Sequence, residues 1–273
     1  MFIGFLGISL SNTKTCKIIY VLYNCIVFFI HLRGMDEKIY PKVLLCAPQH
    51  ESKMYCWESW HERLENLTYP NFDIFIADNS DTMDNVNYMN TFEGVVAVYT
   101  PDRKKGTLSR INDSHKQCAE YAIKNEYEWV FHLETDVFPP LDVIERLLSR
   151  KRPIIAGLYD IEFGYNRKAM VQLKEPVPRT IYGFQVVDYA EHNEPILFNG
   201  AVNSVFHAGL GCILINTNIL KQVKFRVQKG VNFHTDTLFA NDCFQLNKHI
   251  FVDTTVQCDH FNQQWLSKEK SIF

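Results

Sequence analysis

The sequence has no Cys-x-x-Cys pair, no internal repeat, no linker-like stretch, no long basic tract and no apolar run of bilayer length. Each absence removes a class of function. The eight cysteines (Cys16, Cys25, Cys46, Cys56, Cys118, Cys212, Cys243 and Cys258) are scattered, several within apolar runs. They read as buried free thiols of a reducing compartment, which places the chain in the cytoplasm. A structural zinc site would need clustered Cys and His ligands, and the spacing offers none. Net charge is −3, and the basic clusters Arg103-Lys104-Lys105 and Arg150-Lys151-Arg152 are short. Charge therefore gives no dedicated nucleic-acid surface. No GxxxxGK[ST] loop is present, which argues against a P-loop NTPase. Ala47-Pro48-Gln49-His50-Glu51 lacks the Gly-rich, basic signature expected of a sugar nucleotidyltransferase after its first strand.

Residues 18–32 are nearly all apolar, interrupted by Asn24 and His31. This is shorter than the ~20 residues of a bilayer span. Either 17–32 associates with a membrane as a short helix or signal-anchor, or Met35 is the true start and 1–34 is upstream sequence. The pattern makes sense from Met35 onward, which favours the second reading. Residues 1–34 are accordingly set apart from one domain at 35–273. The sequons Asn66-Leu67-Thr68 and Asn112-Asp113-Ser114 carry little weight without a secretion signal.

Apolar residues make up 47% of the chain and charged residues 22%, enough for a substantial core. Short apolar runs at 42–47, 72–77, 94–99, 129–133 and 153–159 read as strands. Between them, 52–66, 107–125 and 140–148 read as helices. This alternation predicts an α/β domain with a mostly parallel, doubly wound sheet whose strands are covered on both faces. Residues 160–208 break the pattern and read as irregular strands and loops. Regularity returns with a strand at 211–215, helices from about 217 and over about 237–247, and a strand at 250–252.

Acidic residues stand where the strands end. Asp78 and Asp81 follow the second strand, and Glu134 and Asp136 follow the fourth. Ligands of an open α/β sheet bind beyond the carboxyl ends of its strands, so these acids should converge on one edge. Glu134-Thr135-Asp136 places two carboxylates two residues apart in extended chain, suited to Mg²⁺ or Mn²⁺ and through it to a phosphate.

These segments, in order, resemble the GT-A glycosyltransferases, in particular the inverting family-two group of nucleotide-diphospho-sugar transferases. Residues 127–136 (YEWVFHLETD) look like that family's DxD strand, and 75–81 (FIADNSD) like its nucleotide-contact strand. Residues 106–112 (GTLSRIN), 209–215 (GLGCILI), 235–239 (TDTLF) and 252–256 (VDTTV), with His260 beyond, resemble four further motifs. The resemblance covers about residues 42–261. It implies a single GT-A domain moving a sugar from a UDP- or GDP-sugar donor to an acceptor hydroxyl, with inversion. It implies nucleoside contact by Asp78 with help from Glu51, and a place for Arg110 near the donor base or diphosphate. Glu134 and Asp136 would hold Mn²⁺ or Mg²⁺ on the donor diphosphate, with His260 a late ligand and Asp236 the general base. The acceptor (glycan, lipid, protein or modified nucleobase) is not readable. Three positions depart from the family: Glu134 stands for the first Asp, Thr235 for a Glu, and one residue separates Arg110 from Asn112.

Plainer roles compete for the same residues. Asp78 can be a turn former, Asp236 a helix N-cap, His260 a surface residue, and Asp242 either a rival base or a solvated charge. His207 would face the acceptor, and Trp57, Trp60 and Trp129 belong to the core. Alternatives to the inverting transferase are a retaining enzyme on the same fold, or a degenerate nucleotide-sugar-binding domain without turnover.

Overall fold

The computed structural model describes residues 40–100, 106–163, 166–174 and 179–261. The chain divides into Met1–Tyr40 and Pro41–Phe273, and the architecture below is that of the second unit. The segment at 1–34, its apolar stretch 17–32 and the basic cluster at 103–105 lie outside the described residues. Among the described residues, no helix is long and apolar enough to cross a membrane.

An eight-stranded sheet forms the centre, in the order β12-β15-β6-β14-β4-β1-β2-β3. Its first half is β1 (Val43–Gln49), β2 (Phe72–Asp78), β3 (Val95–Tyr99) and β4 (Trp129–Leu133). Its second half is β6 (Ile154–Leu158), β12 (Val202–Val205), β14 (Cys212–Asn216) and β15 (Ile250–Gln257). β3, β2, β1 and β4 are mutually parallel, as are β6 and β15. β14 runs antiparallel between β4 and β6, and β12 runs antiparallel on the edge. The expected mostly parallel α/β sheet is therefore present, with two strands reversed.

Burial follows the sequence pattern. Val43 to Ala47 of β1 are completely buried, as a central strand covered on both faces requires. Edge strand β3 alternates instead, with Val95 and Ala97 buried and Val96 exposed. β1 runs on through Pro48 to Gln49, past the end expected at Ala47. Its pairing with β4 stops at Cys46, so beyond that point one flank of the strand is free and a residue without an N–H is tolerated.

The segment expected as one helix over 52–66 is two: a 3₁₀ helix, Glu51–Cys56, then α1, Trp57–Glu65. After α2 (Asp84–Met89), helix α3 (Thr107–Lys124) packs Cys118, Ala119 and Ala122 into the core beside β1 and β2. The short strand β5 (Val137–Phe138) precedes α4 (Val143–Ser149), a later start than the prolines at 139–140 suggest. Trp57 and Trp60 are fully buried as expected, whereas Trp129 at the start of β4 is only half-buried.

The irregular stretch carries small sheets of its own. β7 (Asp160–Phe163), β8 (Asn166–Gln172), β11 (Tyr189–Glu191) and β13 (His207–Ala208) form one, and β9 (Arg179–Ile181) pairs with β10 (Phe184–Val186). A single helical turn, α5 (Thr217–Leu220), leads on to α6 (Thr235–Gln245). Finally β16 (Asp259–His260) pairs antiparallel with β5, and this pairing brings residues 259–261 back beside Asp136, just past the end of β4.

Candidate active site

The carboxyl ends of β1, β2 and β4 carry two clusters. The first surrounds the acidic pair. Glu134 is held by its backbone N–H, which donates to the Gly211 carbonyl at 3.0 Å. Thr135 points inward and donates to Gln49 Oε1 at 2.7 Å, tying the end of β4 to the end of β1. Asp136 is nearly buried, and its carbonyl accepts from the Phe261 N–H at 2.8 Å. The β5–β16 register sets His260 opposite Val137, so the imidazole reaches Asp136: His260 Nε2 lies 3.3 Å from Asp136 Oδ2. Its other nitrogen, Nδ1, lies 2.6 Å from the Asp160 carbonyl. A carbonyl only accepts, so Nδ1 carries a hydrogen and Nε2 is the atom turned to the acid. The sequence-expected Glu134, Asp136 and His260 thus come together.

Lys53 joins them, and no sequence signal pointed to it. Its ammonium lies 2.9 Å from Glu134 Oε2 and 2.9 Å from Asp136 Oδ1. The 3₁₀ helix aims it there. Cys56 Sγ donates to the Thr135 carbonyl at 3.0 Å, and Tyr55 donates to the Phe261 carbonyl at 2.7 Å. Burial favours the neutral amine at Lys53, but the two carboxylates outweigh it and keep the ammonium charged beyond the ordinary lysine range. Burial likewise favours the protonated acid at Asp136, yet His260 and Lys53 hold its pKa down to about 2. His260 responds in turn: burial lowers its pKa, but Asp136 prevails and raises it above the ordinary value.

The second cluster surrounds the end of β2. Asp78 is fully buried, and its two oxygens accept from the Ser80 N–H at 3.0 Å and the Ser80 hydroxyl at 2.9 Å. It therefore shapes the turn. Burial raises its pKa, against the opposing pull of the Ser80 bonds. Glu51 accepts from the Asp81 N–H at 2.9 Å, and Arg110 donates to the Asn79 carbonyl and to Asp81 Oδ1, each at 3.3 Å. Glu51, Asp81 and Arg110 thus form one charged rim above the buried turn.

Asp236 lies in the first turn of α6. The N-cap residue is His234, so Asp236 does not cap the helix. Its Oδ1 accepts from the Thr237 N–H at 2.6 Å, and its Oδ2 lies 3.5 Å from Nε2 of the fully buried His207. Burial raises the pKa of Asp236, but His207, His234 and the Thr237 N–H overcome this and bring it to about 2. The helix N-terminus favours the same charged state. Burial raises the pKa of Tyr159, and the charges of Glu134 and Asp236 raise it further. Tyr159 OH accepts from the Gly211 N–H at 3.0 Å, and a side chain at Gly211 would meet the tyrosine at 2.6 Å. This is why the strand entering β14 carries glycine there.

The departures from the family pattern have structural partners. Thr235 donates to Asn112 Oδ1 at 2.8 Å within the core, which also buries the asparagine of the second sequon. Asp242 is bound by Arg226 through two contacts of 2.7 Å and is engaged away from any basic-catalyst role. Asp253 of the 252–256 motif is completely buried on Arg150 at 2.6 Å and on Thr255. It latches β15 to the end of α4.

Behind the site, His115 and His132 pack edge to face, with ring centroids 5.1 Å apart. Burial lowers the pKa of His115 to about 4, with Glu134 and Asp236 pulling upward and Lys53 downward. Burial and His115 together push His132 well below the ordinary value. The unfolded chain takes up protons at these positions below pH ~6.5 and the folded chain does not, so their stability contribution is complete above that pH. It falls as pH drops toward 4, by about 1.4 kcal/mol per pH unit for each histidine. His260 has the opposite sign: its contribution is fully present below its unfolded pKa and leaves this window unchanged. Melting curves between pH 6.5 and 4.5 are expected to show the loss, and His115→Phe to reduce its slope by about half. An unaltered slope would refute this assignment.

As donors, two carboxylates and an imidazole suit Mn²⁺ or Mg²⁺. With Lys53 between the acids they do not form a ready three-ligand site, and among the described residues no other group of His, Cys, Asp or Glu does.

No protein-family model matches the chain, and no curated protein does. Solved structures do. The crystal structure of GalNAc-T7 with UDP, GalNAc and Mn²⁺ superposes with TM-score 0.55 at 11% identity, over 82% of this chain and 44% of that one. TarS of S. aureus in complex with UDP-GlcNAc superposes with TM-score 0.48 at 13% identity, over 81% of this chain and 59% of that one. The chain thus spans less than two thirds of either protein, and only the first likeness is close enough to bear on architecture. Together with the mostly parallel sheet and its acidic carboxyl edge, it fixes the fold as that of the GT-A glycosyltransferases.

Proposed function

We propose that this chain is a metal-dependent glycosyltransferase that takes a sugar from a UDP- or GDP-sugar and passes it to an acceptor hydroxyl with inversion. The observation that carries the reading is the meeting of Glu134, Asp136 and His260 at the carboxyl edge of the sheet. The first three would hold Mn²⁺ or Mg²⁺ against the donor diphosphate; such an ion, when bound, neutralises the charge that grows on the leaving group. Glu51, Asp81 and Arg110 form the rim on which the nucleoside would rest, over the turn that Asp78 builds. Asp236, charged and backed by His207, is the group available to accept the acceptor proton. Its presence favours inversion, since a retaining enzyme needs no such base. The six described cysteines are all free, in keeping with a cytoplasmic setting.

The test is thermal stability of the full chain with UDP and with GDP, each with and without Mn²⁺. A ligand at a hundredfold excess over its Kd stabilises the fold by about 2.7 kcal/mol. A rise in melting temperature that needs nucleotide and metal together is expected, and identifies the base. No rise with either nucleotide in the presence of metal would overturn the donor-site reading.

A further inference from the structure

We infer that Lys53 is a built-in competitor for the metal, an ammonium that holds the acidic pair closed and must leave it for a divalent ion to bind. The inference rests on reading Glu134 and Asp136 as metal ligands. Lys53 Nζ sits 2.9 Å from one oxygen of each carboxylate, so the two acids that would hold a divalent ion already share a cation. Two like charges cannot share that space in a half-buried corner, where Coulomb repulsion is weakly screened. Metal binding is therefore an exchange, in which one positive charge replaces another. The backbone of the exchange is fixed: the Lys53 N–H donates to the His50 carbonyl at 2.9 Å, and Cys56 anchors the far end of the 3₁₀ helix on Thr135. The side chain is not: it is one-third exposed and has four rotatable carbons with which to swing outward. Once displaced, the ammonium stays within reach of the same corner, where the oxygens of a donor diphosphate would take the place of the carboxylates as its partner. Metal alone then binds weakly, because it must evict the lysine without compensation, and metal with nucleotide binds well.

The experiment is Mn²⁺ binding to the full chain without nucleotide, read from the loss of the free-ion electron paramagnetic resonance signal. Lys53→Met is expected to bind Mn²⁺ at least about tenfold more tightly than the native chain. Lys53→Arg keeps the charge and is expected to stay weak. Adding Asp136→Asn to Lys53→Met is expected to abolish the gain. Melting curves establish that each variant is folded, and Lys53→Gln, which retains a hydrogen bond to the acids, serves where Lys53→Met is not. Tightening in the neutral variant that Asp136→Asn removes supports the exchange. Affinity that responds to Asp136→Asn but not to loss of the lysine charge overturns it while leaving the metal site standing. Affinity indifferent to Asp136→Asn in every background overturns the metal site itself, and the exchange with it.

Discussion

Asp236→Asn is expected to slow sugar transfer by about 10²–10⁴-fold, the range over which a positioned base contributes. The substitution is nearly isosteric. The new amide oxygen still accepts from the Thr237 N–H that Asp236 Oδ1 now binds at 2.6 Å, so α6 keeps its first turn. What is lost is the charged oxygen facing His207. Burial works against the charge on Asp236, but His207, His234 and the Thr237 N–H hold the carboxylate ionised. With donor binding proposed at the other cluster, the nucleotide-dependent rise in melting temperature is expected to be retained. Release of nucleoside diphosphate from the donor sugar measures the chemistry. A variant that keeps most of its turnover would remove Asp236 from the mechanism and favour retention of configuration.

Asp136→Asn is expected to abolish the joint effect of metal and nucleotide on melting and to reduce turnover at least about a hundredfold, since a Lewis acid at the leaving diphosphate contributes several kcal/mol. Asp136 is the more buried of the two acids and touches both Lys53 and His260. An asparagine fills the same volume but cannot balance the ammonium, leaving Lys53 to Glu134 alone. Its removal also costs the folded chain about 1–3 kcal/mol, the usual penalty for an unpaired buried polar group. The protein should therefore melt somewhat earlier and no longer respond to Mn²⁺ with UDP or GDP. A normal response in this variant would place the donor elsewhere.

The parts of this site that were legible in the sequence are those written in local pattern. An apolar run ending in acid marks β2 with Asp78 and β4 with Glu134 and Asp136, because an acid at the end of a buried strand stands out against its apolar pattern. Helix α3 could be read over 107–125, and α6 from about residue 237, two residues after its start at Thr235. The parts that were not legible depend on distant partners. Thr235 reads as a departure until it meets Asn112, 123 residues away. Lys53 reads as a surface lysine if 52–66 is one α-helix, and only the 3₁₀ geometry turns it onto the acids. His260, which the resemblance offered as a late ligand and which could equally have been a surface residue, meets Asp136 only because β16 pairs with β5. Asp78 illustrates the converse: its position was clear, but its burial and its bonds to Ser80 make it a builder of the turn. The small sheets between β7 and β13 have no period to read, since their strands are short and paired across loops.

The central claim is that a metal and a donor diphosphate meet at Asp136. Anomalous diffraction from crystals grown with Mn²⁺ and the nucleotide that stabilises the chain tests it most directly. The account predicts a manganese peak at Asp136, with Glu134 or His260 beside it, the diphosphate on its far side and the nucleoside over the Glu51–Asp81–Arg110 rim. A manganese peak away from Asp136, or a nucleotide seated elsewhere on the sheet, would contradict it.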